Sequence, residues 1–268
     1  MPGLKIRPFR FIFTGENDGP TNMAMDEAVL RGLMDKGDST PMLRVYRWHP
    51  PTISIGYFQS MGDIDYHKCI RDRIGIVRRL TGGRAVLHSN ELTYSILFTR
   101  DDFSPFNKRE IFLFIASCLV DALGNLGIKS RIVQKTRGNL KTANCFASPA
   151  QYEIEAPEAG KLIGSAQVIK DGVILQHGAI PLTDSYMDIV EYLRSSGDFS
   201  KNFRKNSTSL NQVSGTRIGE IELLEALRKG FGKHIDLIEG SFTEMENLAI
   251  KVLAEQKYSK DWWNFRRK

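Results

Sequence analysis

Apolar residues along this chain recur at two spacings, and the longer one marks the helices. Ile111, Phe114, Ile115, Cys118, Leu119, Ala122, Leu123 and Leu126 return every three or four positions, and Gly127 follows them. That is one stripe of an α-helix, closed by a residue suited to the left-handed backbone of a helix C-terminus. Two more amphipathic helices are predicted over 220–231 and 243–256. The second opens on the Thr243-x-x-Glu246 capping box, and its spacing sets Met245, Leu248 and Val252 on the apolar face. An earlier helix opens at Asn22, with Met25, Val29, Gly32 and Leu33 on one face and Asp26 and Glu27 near the dipole-favoured N-terminal end. A short helix over 63–73 carries Cys69 at helical spacing from Tyr66, as a partly buried small side chain.

The shorter spacing marks the strands. Runs at 9–13, 43–48, 52–56, 85–87, 92–98 and 128–134 are rich in β-branched, aromatic and aliphatic residues. Pro50-Pro51 separates the second from the third, because proline cannot continue a ladder. The runs 85–87 and 92–98 flank the polar Ser89-Asn90-Glu91 and read as two antiparallel strands with their turn. Asp171-Gly172 between 160–169 and 173–180 is a strong two-residue hairpin signal. Residues 135–143 are polar and irregular, and 195–219 reads as a long exposed connection. The whole reads as an α/β (α+β) fold: a mixed, mainly antiparallel sheet flanked by helices.

Composition narrows the function classes. With 268 residues and 41% hydrophobic content, the chain can bury a sizeable core. Its 37 Lys plus Arg against 31 Asp plus Glu give a net charge of +6, which favours acidic partners. The basic residues are scattered, without a zinc knuckle, an RNP-like aromatic motif or a basic helix, so nucleic acid is not the expected partner. Three cysteines without Cys-x-x-Cys spacing indicate neither a disulfide framework nor a structural zinc site. No histidine pair has metal-ligand spacing, and neither a metal nor a cofactor is expected. Lacking a signal-like segment or a spanning apolar run, the chain is expected to be a cytoplasmic enzyme, a single domain over 1–268 acting as a monomer, with no membrane partner.

The candidate chemistry sits in three stretches. Gly82-Gly83 lets the backbone bend close to a ligand, and Arg78, Arg79 and Arg84 set cations around that bend, which suits an acidic or carboxyl-derived ligand. A glycine turn with solvated arginines is the plain alternative. Cys145, unlike Cys69 and Cys118, lies outside any periodic apolar face, in a loop beside Ser148-Pro149. Lone loop cysteines are nonetheless commonly structural. Gly160-Lys161 is no P-loop, because a strand follows where a helix belongs. Position alone would make Lys161 a solvated edge charge.

These stretches carry a resemblance. Arg78-Arg79-Leu-Thr81-Gly82-Gly83-Arg84-Ala-Val-Leu-His88, then Glu91-Leu-Thr-Tyr-Ser95, is similar to the signature of the biotin/lipoate A/B protein ligase superfamily. The Gly-Gly-Arg and Glu-Leu-Thr-Tyr-Ser wording looks most like octanoyltransferases of the LipM type. Lipoate ligases more usually show a third glycine at Arg84 and Asn-x-Ser at 93–95. Asn22 to Ala28 and the segment from Trp48 to Gln59 also resemble the family, where the second lines the acyl pocket. Cys-Phe-x-x-Pro-x-x-Tyr-Glu, from Cys145 to Glu153, looks like the segment bearing the acyl-thioester nucleophile.

The resemblance implies the rest. Lys161 of Gly-Lys-x-x-Gly-Ser-Ala would point into the acyl site and lower the pKa of the Cys145 thiol. An ammonium near a thiol of pKa about 8.5 lowers it by roughly a unit or more. Arg78, Arg79, Thr81, Gly82, Gly83, Arg84, His88, Gly164, Ser165 and Ala166 would bind substrate. The implied reaction moves an octanoyl group from acyl carrier protein to a lysine of a lipoyl domain such as the glycine cleavage H protein, without ATP. An ATP-dependent lipoate ligase, a lipoyl amidotransferase, and a noncatalytic ligand- or nucleic-acid-binding protein on the same fold are the alternatives.

Overall fold

The computed structural model describes residues 3–4, 7–35, 39–133, 153–194 and 206–265. In chain order the elements are β1 (Gly3–Leu4), β2 (Phe9–Asn17), α1 (Gly19–Met34), β3 (Met42–Trp48), β4 (Thr52–Ile55), α2 (Tyr66–Arg71), β5 (Gly75–Arg78), β6 (Val86–His88), β7 (Glu91–Thr99), β8 (Phe103–Ser104), α3 (Lys108–Asn125) and β9 (Arg131–Ile132). Then come β10 (Ile154–Ala156), β11 (Gly160–Lys170), β12 (Val173–Pro181), α4 (Leu210–Ser214), α5 (Glu220–Gly232), β13 (Leu237–Glu239), α6 (Glu244–Leu253) and α7 (Asp261–Asn264).

The main sheet runs β13-β2-β3-β7-β12-β11-β10-β9 and a smaller one runs β5-β4-β6. In the main sheet the β13–β2 and β2–β3 pairs are parallel and the others antiparallel, so it is mixed and mainly antiparallel. One face packs on α3 and α5 through Ile111, Ile115, Leu119, Leu223, Leu227 and Phe231. The other face carries α1 and, across from it, the small sheet. No helix of the described residues is long and apolar enough to cross a membrane.

Where the sequence pattern was strong, the elements match it. Helix α3 buries Ile111, Ile115, Cys118, Leu119, Ala122 and Leu123, and Gly127 follows with φ +72°. β11 and β12 pair from Lys170↔Val173 onward, with Asp171 and Gly172 both at positive φ, as a two-residue primed turn requires. Cys69 and Cys118 are fully buried. Burial pushes the Cys69 thiol up to about 11 and Cys118 higher still.

Several expectations are corrected. Residues 85–98 do contain two strands, yet they do not form a hairpin: β6 pairs with β4, whereas β7 lies between β3 and β12. With both edges of β7 occupied, β6 has to join the other sheet. Helix α1 starts at Gly19, capped by the Asp18 side chain, so Asp26 and Glu27 fall mid-helix and have no dipole role. They are buried and paired, Asp26 with Arg44 of β3, and Glu27 with Arg31 one turn along α1 and with Lys257 and Tyr258 of the C-terminal segment.

Helix α6 has the predicted capping box but the opposite buried face. Met245, Leu248 and Val252 are 72%, 59% and 59% exposed, while Glu246, Ile250 and Leu253 are buried. The cause is ionic. Glu246 accepts both guanidinium bonds of Arg10 at 2.7 Å and the Ser39 hydroxyl at 2.8 Å, and these fix the rotation of the helix. The predicted exposed connection is mixed in its described part: Ser207, Thr208, Ser209, Leu210 and Ile218 are buried, whereas Asn206, Gln212, Gly215, Thr216, Arg217 and Gly219 are exposed. The Thr208 N–H donates to the Lys161 carbonyl at 2.9 Å, which ties this segment to β11.

Candidate active site

Cross-strand register defines the floor of a site. Tyr46 lies opposite Thr93, Thr93 opposite Ala179 and Ala179 opposite Gly164; two residues along each strand, Arg44, Ser95, His177 and Ala166 form the next row. Side chains two apart share a face. Over this face stand Met23 of α1, Ser54 of β4, and Arg79, Val86 and His88. Between the layers lies a slit of about 30 Å³, whose walls also include Trp48, Ser165 and Gly178.

Many of the wall residues are polar, and they are engaged with one another. His88 receives the Ser54 hydroxyl at Nε2, 2.7 Å away, and its Nδ1 donates to the Glu91 carboxylate at 2.7 Å. Its ring stacks on Trp48 at 4.1 Å, and the Trp48 indole N–H donates to Thr93 Oγ1 at 2.8 Å. His177 receives the Thr81 hydroxyl at Nε2, 2.7 Å away, and its Nδ1 faces Asp26 Oδ2 at 3.5 Å. Burial lowers the His177 pKa more than Asp26 raises it, so the ring is neutral. Burial alone would raise the Asp26 carboxyl, but Arg44, His177 and Ser95 together hold it below the usual carboxylate value.

The glycine bend is fixed from beneath by Arg79. Its guanidinium donates to Ser54 O, Ser54 Oγ, Gly82 O and Arg84 O at 2.7–3.1 Å. Gly83 has φ +92°, and a Cβ on Gly56 would come within 1.9 Å of the Gly83 carbonyl oxygen, so the two segments meet only through glycine. Beyond the bend a second cavity of about 370 Å³ is lined by Gly82, Gly83, Lys108, Arg109, Phe112 and Gln167; Ser165 and Ala166 border both spaces.

The structure thus brings Arg79, His88, Gly164, Ser165 and Ala166 together at the slit, with Thr81 one hydrogen bond behind it and Gly82 and Gly83 at the adjoining cavity. Arg78 is placed elsewhere. It is 1% exposed and donates to the carbonyls of Gly56, Tyr57, Gln59, Trp263 and Asn264, which makes it a staple between the β4 loop and the C-terminal helix. Arg84 is half-buried and contributes its carbonyl to Arg79. The segment expected to line the acyl pocket divides: Trp48 and Ser54 face the slit, whereas Tyr57, Phe58 and Gln59 line a groove of about 740 Å³ with Tyr66, Arg194 and Phe265.

Lys161 is fully buried, not a solvated edge charge, and its Nζ lies 2.6 Å from Glu153 Oε1. By register it stands at the end of the sheet that carries Glu91 and Trp48, three residues along β11 from Gly164. Cys145 lies outside the described residues. Sequence reasoning missed Met23, Tyr46 and Asp26. The available signal for Asp26 was a carboxylate among Met23, Ala24, Met25, Ala28, Val29 and Leu30 of one helix, where an unpaired charge is too costly to bury.

Comparison with known proteins adds a second line. The family described as the lipoyl protein ligase A/B catalytic domain matches residues 18–232. Octanoyltransferase LipM of Halalkalibacterium halodurans is 36% identical over 98% of this chain and 100% of its own. Octanoyltransferase LipM of Staphylococcus aureus is 38% identical over 97% and 99%. Among solved structures, protein Ta0514 of T. acidophilum with bound lipoic acid superposes with a TM-score of 0.80 at 26% identity, covering 98% and 100% of the two chains. Lipoate-protein ligase A bound with ATP gives 0.79 at 26% identity, covering 97% and 99%.

Proposed function

The chain belongs to the lipoyl protein ligase A/B catalytic domain family, and from that premise we propose that it is an octanoyltransferase moving an octanoyl group from acyl carrier protein to a lysine of a lipoyl domain. The full-length identity to LipM octanoyltransferases supports this reading. The observation that carries it is the slit: apart from the Tyr46 hydroxyl, its polar side chains are hydrogen-bonded within the protein, so that mainly ring faces, methyl groups and methylenes are left to meet a ligand. An unbranched hydrocarbon chain needs such a wall. Met23, flexible and unbranched, is the wall side chain best able to yield as the chain enters.

In this reading residues 1–268 act as one catalytic domain in the cytoplasm. The Cys145 thiolate attacks the carrier thioester, a new C–S bond forms as the carrier's C–S bond breaks, and the carrier leaves as a thiol. The amine of the acceptor lysine then attacks the acyl-enzyme, forms the amide and releases Cys145. Lys161 supplies the nearby positive charge that favours the thiolate. Thioester replaces thioester in the first step, so no ATP is consumed.

Likeness to a lipoate-protein ligase bound with ATP favours a second reading, ATP-dependent ligation. One experiment separates them: intact mass of the wild type and Cys145→Ala after exposure to octanoyl-carrier protein without ATP, then to a lipoyl-domain acceptor. A hydroxylamine-labile octanoyl adduct on the wild type alone, passed on to the acceptor, supports transfer. Acceptor modification by both proteins only with ATP and free lipoate replaces it with ligation.

A further inference from the structure

We propose that Tyr46 is a specificity-determining residue of the slit: its hydroxyl is a donor held ready for the ligand, and it favours medium-length acyl chains that carry a keto or ether oxygen toward their far end over plain hydrocarbon chains of the same length. The proposal rests on the acyl-chain reading of the slit and widens its substrate class.

Four observations carry it. Tyr46 lines the slit and is fully buried, yet its hydroxyl has no hydrogen-bond partner among the described residues. Burying a hydroxyl unpaired weakens a fold, so one kept in a cavity wall points to a partner that arrives with the ligand. Other polar side chains of the wall are already engaged: Ser54 with His88, Trp48 with Thr93, His177 with Thr81 and Ser165 with Tyr94. Second, the ring is held where it stands. The Arg44 guanidinium lies 3.6 Å from its centroid, the Trp48 ring packs at 5.6 Å, and β3 is bonded on one side to β2 and on the other to β7.

Third, the phenol keeps its proton, because burial, with the Asp26 carboxylate adding to it, pushes its pKa well up. The group is therefore a donor, and the ligand atom that matches it is an acceptor. Oxygen fills that role well, whereas sulfur accepts only weakly. Fourth, Tyr46 lies far from the side where a chain enters. Ser165 and Ala166 of β11 border both the slit and the larger cavity beyond the glycine bend, while Tyr46 is on β3 with β12 and β7 between. Three strand spacings amount to about 14 Å. A chain delivered from that cavity keeps its carbonyl on the β11 side and brings its far end toward Tyr46. Plain octanoyl then covers the hydroxyl with hydrocarbon; an oxygen on the last few carbons gives it a partner.

The test is calorimetric titration of wild type and Tyr46→Phe with octanoate, 6-oxooctanoate and 7-oxooctanoate, with Tm of both proteins measured alongside. A keto oxygen accepts without adding a donor of its own. In the wild type the better oxo acid should bind more tightly, relative to octanoate, than it does in Y46F, by about threefold to tenfold. Y46F should bind octanoate at least as tightly as the wild type and should keep or raise its Tm, since the hydroxyl it loses has no partner among the described residues.

Octanoate binding in both proteins with the same preference ratio overturns the proposal and leaves the acyl reading of the slit intact. A Y46F that fails to fold, or melts several degrees lower, overturns it as well, because the hydroxyl would then be serving the fold. If none of the acids binds either protein, the slit is not an acyl site and both readings fall. If the oxo preference and its loss in Y46F appear in a protein that transfers no octanoyl group, the transferase reading falls and the role of Tyr46 stands.

Discussion

Replacing Asp26 by Asn tests how the site is held together, because it alters one charge at the centre of a buried network. Asp26 is 1% exposed, and Arg44 opposite it is fully buried. Arg44 reaches Asp26 Oδ1 from Nη2 at 2.8 Å and from Nε at 3.2 Å, and the Ser95 hydroxyl adds a third bond at 2.8 Å. Asn keeps the shape and one acceptor but leaves the guanidinium without a counter-ion. Breaking a buried pair on one side costs about 3–5 kcal/mol. In a domain of this size that corresponds to roughly 6–20 °C in Tm. Urea unfolding of wild type and D26N at pH 7 measures the difference directly. The pH dependence supplies an internal check. Because the folded Asp26 carboxyl lies below its unfolded value of about 3.9, its contribution is complete above that pH and disappears as pH falls through the folded value. The gap between the two proteins should therefore hold from pH 7 to 5 and begin to narrow only as pH falls below about 4. A gap under about 1 kcal/mol at pH 7, or one that widens on acidification, refutes the reasoning.

Further tests bear on other parts of the structure. On α6, Ile250→Ala should cost about 2–4 kcal/mol by urea titration, whereas Leu248→Ala on the exposed face should change stability by less than about 0.5 kcal/mol. Gly56→Ala should leave a folded protein, by circular dichroism, that has lost most of its acylation rate, since the added methyl displaces the Gly83 carbonyl; a full rate would show that the bend is not part of the site. Titration of the native protein with a thiol reagent at pH 8 should leave Cys69 and Cys118 unmodified, because both are buried and their thiols are raised. Rapid labelling of either, read by peptide mass, would contradict the burial.

The parts of the fold legible in the sequence are those where local pattern and tertiary demand coincide. The α3 stripe is one, since six of its eight apolar positions, Ile111, Ile115, Cys118, Leu119, Ala122 and Leu123, are buried and Phe114 and Leu126 are half-buried beside them. The Asp171-Gly172 turn is another, where backbone chemistry alone sets the hairpin. Helix α6 failed because a hydrophobicity pattern treats Glu246 as a surface residue, while the structure spends that residue on Arg10. The strands β6 and β7 were visible as strands, but their partners are set by β3 and β12, far away in sequence. At the site, the glycine bend and the Gly164 to Ala166 stretch were readable by resemblance. The two neighbouring arginines of the signature were not distinguishable by type, and only the structure separates Arg79 under the bend from Arg78 on the C-terminal helix.

In the proposed reading the slit takes a hydrocarbon chain, and yet it is built from many polar residues. An all-apolar slit would be free to collapse or repack, since hydrophobic contacts have no direction. Here Glu91 orients His88, His88 and Arg79 both bond Ser54, and Asp26 and Thr81 orient His177. Each hydrogen bond fixes a side chain whose flank is part of the wall. These bonded polar atoms add rigidity without presenting donors to the slit; the Tyr46 hydroxyl, which has no partner among the described residues, is the exception. The same bonds carry the strands' positions to the glycine bend, through Thr81 on one side and Arg79 on the other. Removing any one of these polar groups should therefore alter the shape of the slit more than its polarity, and the effect should appear first in which acyl chain lengths are accepted.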